Sequence, residues 1–112
     1  MLKQLVQIQN KMWRVQHIIS GNKIRLIPTW NWNGATGSLV ELTGYTITPT
    51  TIHAQVANLL ATNRLNSLLA NNVTITLANP TRTYLDGVEL VLVCDVLLNG
   101  VSVSKYFPDF QK

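Results

Sequence analysis

One helical segment lies among runs of strand-forming residues, and its position constrains the fold more than any other feature. Thr48-Pro49-Thr50-Thr51 stops a strand and provides a helix N-cap, and Ile52–Leu69 is the only convincing helix. Alternating or β-branched runs lie on both sides of this helix. The order is therefore three strands, one helix and two strands.

Three strands are predicted before the helix. Leu5–Ile19 alternates in part and is expected to form one long strand, bulged at Asn10-Lys11. A turn at Ser20-Gly21-Asn22 follows it. The clean alternation of Lys23–Ile27 then predicts a second strand, and Leu39–Ile47 predicts a third.

Two strands are predicted after the helix. Val73–Leu77 is the first, and a polar loop is expected at Ala78–Gly87. Val88–Leu98 is a long β-branched and Leu-rich run, which predicts a strand buried on at least one face. Asn99-Gly100 is a tight-turn signal, and Val101–Phe107 is expected to form a short strand or a single helical turn.

The predicted helix carries apolar side chains on two different faces. At about 100° per residue, the apolar residues of its first half share one face, and the Leu residues of its second half lie well away from it. We therefore expect a kink or a break near Asn63. The first set is Ile52, Val56, Leu59 and Leu60, and the second is Leu65, Leu68 and Leu69.

This element order predicts a mostly β fold with one helix. An OB barrel places its helix between the third and fourth of five strands, so the order favours a five-stranded OB-type barrel. Another small α+β fold, with one helix packed on an antiparallel sheet, is the alternative. The 112 residues correspond to a single domain, 1–112, which is long enough to bury a core without disulfides.

Charge is sparse and unevenly distributed. Only 12% of the residues are charged, and the net charge is +4. Residues 1–40 contain five Lys or Arg and no acid (+5), whereas residues 41–112 contain four basic and five acidic residues (−1). A basic half fits a polyanionic partner, although a scattered, solvated surface gives the same totals. The low charge also favours a protein that lies against another molecule.

The predicted hairpin and the segment after it contain the candidate binding residues. Alternation in Lys23–Ile27 places two basic side chains on one face, and Pro28–Ser38 is expected to be a loop because Gly and Asn interrupt it. The two Trp side chains of this loop have three interpretations. They stack on unpaired bases, anchor a protein interface, or fold back over the barrel. Trp13 is expected in the core. The candidate set is Trp30, Trp32, Lys23, Arg25, Arg14 and Lys11.

Four segments, taken in order, resemble the staphylococcal nuclease (thermonuclease) family. Ser20–Leu26 is similar to the family's first turn and second strand, and Leu39–Ile47 to its third strand. Leu65–Thr74 is similar to the end of its helix, and Asp95–Val103 to its last strand with the turn and Val that follow. The resemblance implies an OB-type barrel and covers most of residues 12–107.

The departures from this family concern its catalytic positions. Family enzymes hold a metal ion with carboxylates and clamp the phosphate with two arginines. Here Asn22 stands at the carboxylate position of the turn, Glu41 at the arginine position of the third strand, and Thr46 at the following carboxylate position. Asp86–Glu89 offers no second arginine. The resemblance therefore implies a non-catalytic member.

The sequence contains few other residues that suggest catalysis or metal binding. Cys94 is the single cysteine and lies in an apolar run, so a buried, inert thiol is expected. His17 and His53 have no metal-type spacing with it. There is no glycine-rich phosphate loop. We expect no metal, no cofactor and no enzymatic activity.

The chain has no stretch expected to span a membrane, and residues 1–19 lack the unbroken apolar core of a secretion signal. We therefore expect an intracellular protein or a component of a viral particle, with no membrane partner.

Two functions fit these observations. The first is a non-catalytic module that binds single-stranded nucleic acid through the basic hairpin and the Trp residues. The second is a structural or adaptor subunit of a larger protein assembly, for example a homo-oligomer or a viral particle. The first predicts salt-sensitive binding, and the second predicts a stable protein partner.

Overall fold

Strands dominate the fold, as the alternating runs predict. The computed structural model describes residues 11–47, 54–70 and 73–110. One helix lies between the third and fourth strands, which confirms the predicted mostly β order. The elements are β1 (Trp13–Ser20), β2 (Lys23–Trp32), β3 (Ala35–Leu42), α1 (Ala54–Leu68), β4 (Thr74–Asp86), β5 (Glu89–Leu98) and β6 (Val101–Ser102), followed by 3-10 turns at Val103–Tyr106 and Pro108–Phe110.

The strands form one sheet whose ends meet. Its order is β3-β2-β1-β4-β5-β6, and all of these neighbours are antiparallel. In addition, Leu39–Leu42 of β3 pairs in parallel with Val91–Cys94 of β5. This extra pairing closes a ring of hydrogen-bonded strands through β1, β2, β3, β5 and β4. The two-residue β6 lies outside the ring, beside β5.

The expected loop at Pro28–Ser38 is wrong, because β2 and β3 continue through it as a hairpin. The turn is Asn33-Gly34, where φ is 54° and 81°. Both residues adopt the left-handed region that a two-residue hairpin turn requires. Strand pairing resumes at Trp30 with Gly37 after an irregularity in β2. A Cβ at Gly37 would lie 2.7 Å from the Trp30 ring, so glycine is needed for this close approach.

The expected loop at Ala78–Gly87 is also wrong. β4 runs through it to Asp86, with an irregularity in the pairing between Ala78 and Arg82. Pro80 lies within that irregularity, where the missing N–H of proline costs the ladder least. By contrast, β3 ends at Leu42, earlier than the predicted Ile47.

The interior of the ring is filled by large apolar side chains. Trp13, Trp30 and Phe107 have no exposed area and belong to one cluster with the inward residues of every ring strand. The core position predicted for Trp13 is therefore confirmed. β5 is buried on both faces, since Leu92 points into this cluster and Val91 is also fully buried on the other side. Burial on both faces explains why this run contains so few polar residues.

The expected break at Asn63 does not occur, because α1 is a single helix from Ala54 to Leu68. Its buried face carries Ala61 and Leu65, and these two side chains join the core. The described residues of the first apolar set, Val56, Leu59 and Leu60, therefore do not face the core. The bulge at Asn10, the N-cap at 48–51 and the helix start at 52–53 lie outside the described residues.

Candidate functional site

Trp30 is part of the core and not of an exposed surface. Its side chain has 0% exposure, and its indole N–H donates to the Leu39 carbonyl at 2.9 Å. Its ring is therefore not available for stacking on a base, which corrects its place among the candidate binding residues. Trp32 is half-buried and packs against the same core from near the end of the β2–β3 hairpin. Of the three interpretations, folding back onto the core describes both rings.

The predicted basic face of β2 exists, but its charges are paired. Lys23 Nζ lies 2.9 Å from Asp86 Oδ2, and Arg25 makes two hydrogen bonds to Glu89, at 2.7 and 2.8 Å. Arg25 also donates to the Ser38 hydroxyl at 2.9 Å. The hydrogen bonds with Arg25 hold the pKa of Glu89 below its usual range. The acidic partners come from the ends of β4 and β5, so the fold offsets the charge of this face.

Tyr84 ties Glu41 to the same face. Its hydroxyl donates to Glu41 Oε1 at 2.6 Å, and its ring lies between Lys23 Nζ at 5.5 Å and the Arg82 guanidinium at 5.1 Å. Burial, followed by the hydrogen bond to Glu41, raises the pKa of the tyrosine hydroxyl. Tyr84 stands opposite the buried Val91 in the β4–β5 ladder. The outer face of the sheet thus carries a network of alternating charges around the Tyr84 side chain.

A cavity of about 550 Å³ lies where β3 ends and the chain turns toward the helix. It contains Asn22, Glu41 and Thr46, three of the positions at which this sequence departs from the residues that the nuclease-type resemblance implies. Among the described residues, the donors and acceptors around it are one carboxylate, one amide and several hydroxyl or backbone groups. The lining residues are Asn22, Glu41, Leu42, Thr43, Gly44, Tyr45, Thr46 and Ile47.

The wall of this cavity is held by tertiary contacts. The Tyr45 hydroxyl donates to the Gly21 carbonyl at 2.8 Å, and the Tyr45 ring stacks on Phe107 with 4.2 Å between centroids. The Leu42 N–H donates to the Asn22 carbonyl at 2.8 Å. These contacts fix the β1–β2 turn against the segment that follows β3. This cavity, the Glu41 cavity, therefore lies between segments that these contacts hold together.

Two of the predicted basic residues remain outside this network. Arg14 is exposed on β1, and Lys11 is exposed with its ammonium 6.0 Å from the Trp13 ring. Within the described residues neither makes an ion pair with an acidic side chain. Arg82 is exposed as well, and sequence reasoning did not select it. The structure thus does not bring the six candidates together as one surface.

The described residues of the first apolar set of the helix form an exposed surface, which the sequence alone did not identify. Val56, Leu59 and Leu60 are 55%, 58% and 54% exposed. At about 100° per residue they lie on one face, opposite the buried Ala61 and Leu65. A usable signal was present in the sequence. One surface helix buries a single face against its own domain, so a second apolar face needs another explanation.

The remaining expectations concern the Cys94 thiol, a metal site and membrane-spanning segments. Cys94 is buried, and burial raises the pKa of its thiol, so the prediction of a buried thiol is confirmed. In the described parts of the chain, no three His, Cys, Asp or Glu side chains approach closely enough to hold a metal ion. No described helix is long and apolar enough to cross a membrane.

Comparison with known proteins adds no family. Neither a scan against protein-family models nor a search of curated proteins found a match.

Proposed function

We propose that this chain is a non-catalytic OB-type barrel whose function is to bind another protein, as a structural or adaptor subunit. The closed ring of five strands, with a helix between the third and fourth, supports the OB-type assignment. The four segments similar to the staphylococcal nuclease family support it as well. We place this subunit inside a cell or a viral particle.

The residues of the Glu41 cavity support the proposal that the chain is not a nuclease. A phosphate clamp needs cations around the developing negative charge. At the position of the clamp, Glu41 carries a negative charge and accepts a hydrogen bond from Tyr84. Asn22 and Thr46 replace carboxylates that hold a metal in the family. These substitutions remove both halves of the catalytic machinery.

The observation that carries the protein-binding function is the exposed apolar face of α1. Three large aliphatic side chains, Val56, Leu59 and Leu60, are each more than half exposed on one face. Residues 55–63 contain no charged side chain. Contiguous apolar surface of this kind marks a contact site, and depletion of charge is typical of the centre of an interface.

The partner that this face fits is a second copy of the chain. A two-fold contact places the same surface patch of each copy against the other. Because the face carries no charge, such a contact brings no like charges together, even though each chain has a net charge of +4. Asn63, which is exposed and continues the same face, offers an amide that can pair with its counterpart across the two-fold axis.

Sedimentation over a wide range of protein concentrations tests this function. We expect a concentration-dependent dimer for the native chain, and a monomer for the double variant Leu59→Gln, Leu60→Gln. Val88→Gln is the matched control, because Val88 is 96% exposed but lies at the β4–β5 turn. A native chain that stays monomeric, or a dimer that persists in the double variant, overturns the dimer. Circular dichroism confirms that each variant is folded.

Binding of single-stranded nucleic acid is a second candidate, favoured by Arg14 and Lys11. Both are exposed, and neither is paired with an acid among the described residues. Fluorescence anisotropy with labelled single-stranded DNA and RNA at low salt tests it. If Arg14 contacts a phosphate, Arg14→Gln weakens binding and lowers the salt slope by about 1. No binding at low salt excludes this candidate.

A further inference from the structure

The Glu41 cavity is lined by a carboxylate at a position where the nuclease-type resemblance implies an arginine. Among the described residues that line it, Glu41 is the only charged one. The rest of the described lining is polar or aliphatic, with the Asn22 amide and the hydroxyls of Thr43 and Thr46 among its polar groups. A volume of about 550 Å³ is enough for a small organic group. The cavity therefore offers hydrogen-bond acceptors around a single negative charge.

One carboxylate oxygen of Glu41 accepts a hydrogen bond, and the other accepts none from the described residues. The Tyr84 hydroxyl donates to Oε1 at 2.6 Å, and within the described residues no hydrogen bond reaches Oε2. A carboxylate fixed in this way loses little conformational freedom when a ligand binds to its second oxygen. The hydrogen bond from Tyr84 thus orients the carboxylate for a further donor.

Lys23, a basic neighbour of Glu41, forms its ion pair with another acid. Lys23 stands opposite Glu41 in the β2–β3 ladder, so the two side chains share one face. The ammonium of Lys23 nevertheless lies 2.9 Å from Asp86, which offsets its charge. Together with Arg82, whose guanidinium lies 5.1 Å from the Tyr84 ring, these side chains carry no net charge. Within the described residues no ion pair reaches the Glu41 carboxylate, so it is open to a cation in the cavity.

We propose that the Glu41 cavity binds a guanidinium group. This group is planar, carries five N–H donors and no acceptor, and is more weakly hydrated than an ammonium. It matches a site that offers a carboxylate, an amide oxygen and hydroxyl oxygens. An anion such as phosphate is repelled by Glu41, and one carboxylate is too few for a hard metal ion. The guanidinium comes from an arginine side chain of a protein or from a free guanidino compound.

This site goes beyond the proposed function and is separate from it, since none of its described lining residues belongs to α1. Failure of dimerisation through α1 leaves the guanidinium site untouched, and the reverse also holds. Sedimentation reports on the first and ligand titration on the second, so the two failures are distinguishable.

Titration of the full chain with propylguanidine, followed by amide chemical shifts in NMR, tests the proposal. Propylurea is the control ligand, because it has nearly the same shape and no charge. We expect saturable shifts at Asn22 and Glu41–Ile47 with propylguanidine, and none with propylurea. Glu41→Gln should weaken binding by about tenfold or more, since it removes a charge-assisted hydrogen bond. Gln keeps an oxygen for the Tyr84 hydroxyl, so the cavity wall is preserved.

Glu89→Gln is the matched control variant, because it makes the same chemical change outside the described lining. It should leave the affinity for propylguanidine unchanged. Equal binding of propylurea, binding that survives Glu41→Gln, or no binding at all overturns the proposal. Acetyl-Gly-Arg-Gly-amide identifies the source. Tighter binding of this peptide than of propylguanidine assigns the site to an arginine side chain, and equal or weaker binding assigns it to a free guanidino compound.

Discussion

Trp30→Ala tests whether the ring of strands is organised around a buried indole. Trp30 has no exposed area, and its N–H donates to the Leu39 carbonyl at 2.9 Å. Trp32, two residues later on the same strand, is half-buried. The pair is a matched comparison, because the substitution and the strand are the same, and the two residues differ in burial and in the hydrogen bond of Trp30.

The magnitude follows from this difference in burial. Removing a fully buried Trp side chain costs about 3–5 kcal/mol, through lost burial and the cavity left behind. The Leu39 carbonyl also loses its donor in the interior, which adds about 1–3 kcal/mol unless water enters. A domain of this size is stable by about 5–15 kcal/mol, so Trp30→Ala brings the chain close to unfolding. Trp32→Ala should cost less, because part of the Trp32 side chain already contacts solvent.

Urea unfolding followed by far-ultraviolet circular dichroism measures both variants without relying on Trp fluorescence. Trp30→Phe keeps a ring but removes the N–H donor, and we expect it to fall between the native chain and Trp30→Ala. If Trp32→Ala destabilises the chain as much as Trp30→Ala does, the burial described for Trp30 does not hold. If Trp30→Ala leaves the unfolding midpoint unchanged, the core assignment itself is wrong.

Three further outcomes follow from other contacts. Gly21→Ala should destabilise the chain by about 1–3 kcal/mol in urea unfolding, because a Cβ there would lie 2.8 Å from Ala61 Cβ on the helix; a neutral change contradicts this packing. Cys94 should react with a thiol reagent only in denaturant, since burial raises its pKa; fast reaction of the folded chain would disprove it. The pKa of Glu89 is lowered by Arg25, so its contribution to stability is present above the usual carboxyl pKa and is lost as pH falls through the lowered one. The stability difference between native chain and Glu89→Gln should therefore shrink in acid, and a difference that grows in acid reverses the sign of this reasoning.

The sequence was most informative where one local pattern decides the structure. Alternation in Lys23–Ile27 placed Ile24 and Leu26 inside and the basic residues outside, as the structure has them. Asn99-Gly100 was expected to be a tight turn, and both residues have positive φ, at 53° and 79°. In these segments the period of two or the turn chemistry leaves one arrangement, and tertiary contacts agree with it.

The sequence misled where strand pairing overrides local preference. Pro28–Ser38 contains Asn, Gly and Pro, which are typical of loops, yet the β2–β3 ladder resumes around the Trp30 ring. The segment around Pro80 is extended because β5 pairs with it on both sides of an irregularity. Such pairing joins residues distant in the chain, and β-propensity depends strongly on that context. Local composition therefore could not find these strands.

The candidate site was predicted less well than the fold, and the helix shows why. Spacing correctly grouped Val56, Leu59 and Leu60 on one face and set Leu65 on another. It did not indicate which face the ring would cover. Among the contacts that hold the covered face, the Gly21 N–H donates to the Asn58 side chain at 2.8 Å. A contact between residues 37 positions apart leaves no periodic signal in either segment.

The uneven charge of the sequence has a structural resolution that changes what it implies about partners. The basic residues of the first 40 positions had two interpretations, a polyanionic partner or a scattered, solvated surface. Instead, Lys23 and Arg25 meet Asp86 and Glu89, which lie 63 and 64 positions later in the acidic half. Two basic charges of the first half are therefore offset by two acids of the second half, whereas Arg14 and Lys11 have no acidic partner among the described residues. A charge asymmetry along a sequence indicates a polyanion partner only where the fold keeps the basic residues apart from the acidic ones. Here the fold brings Lys23 and Arg25 against acidic residues, so the proposed function rests instead on the uncharged face of α1.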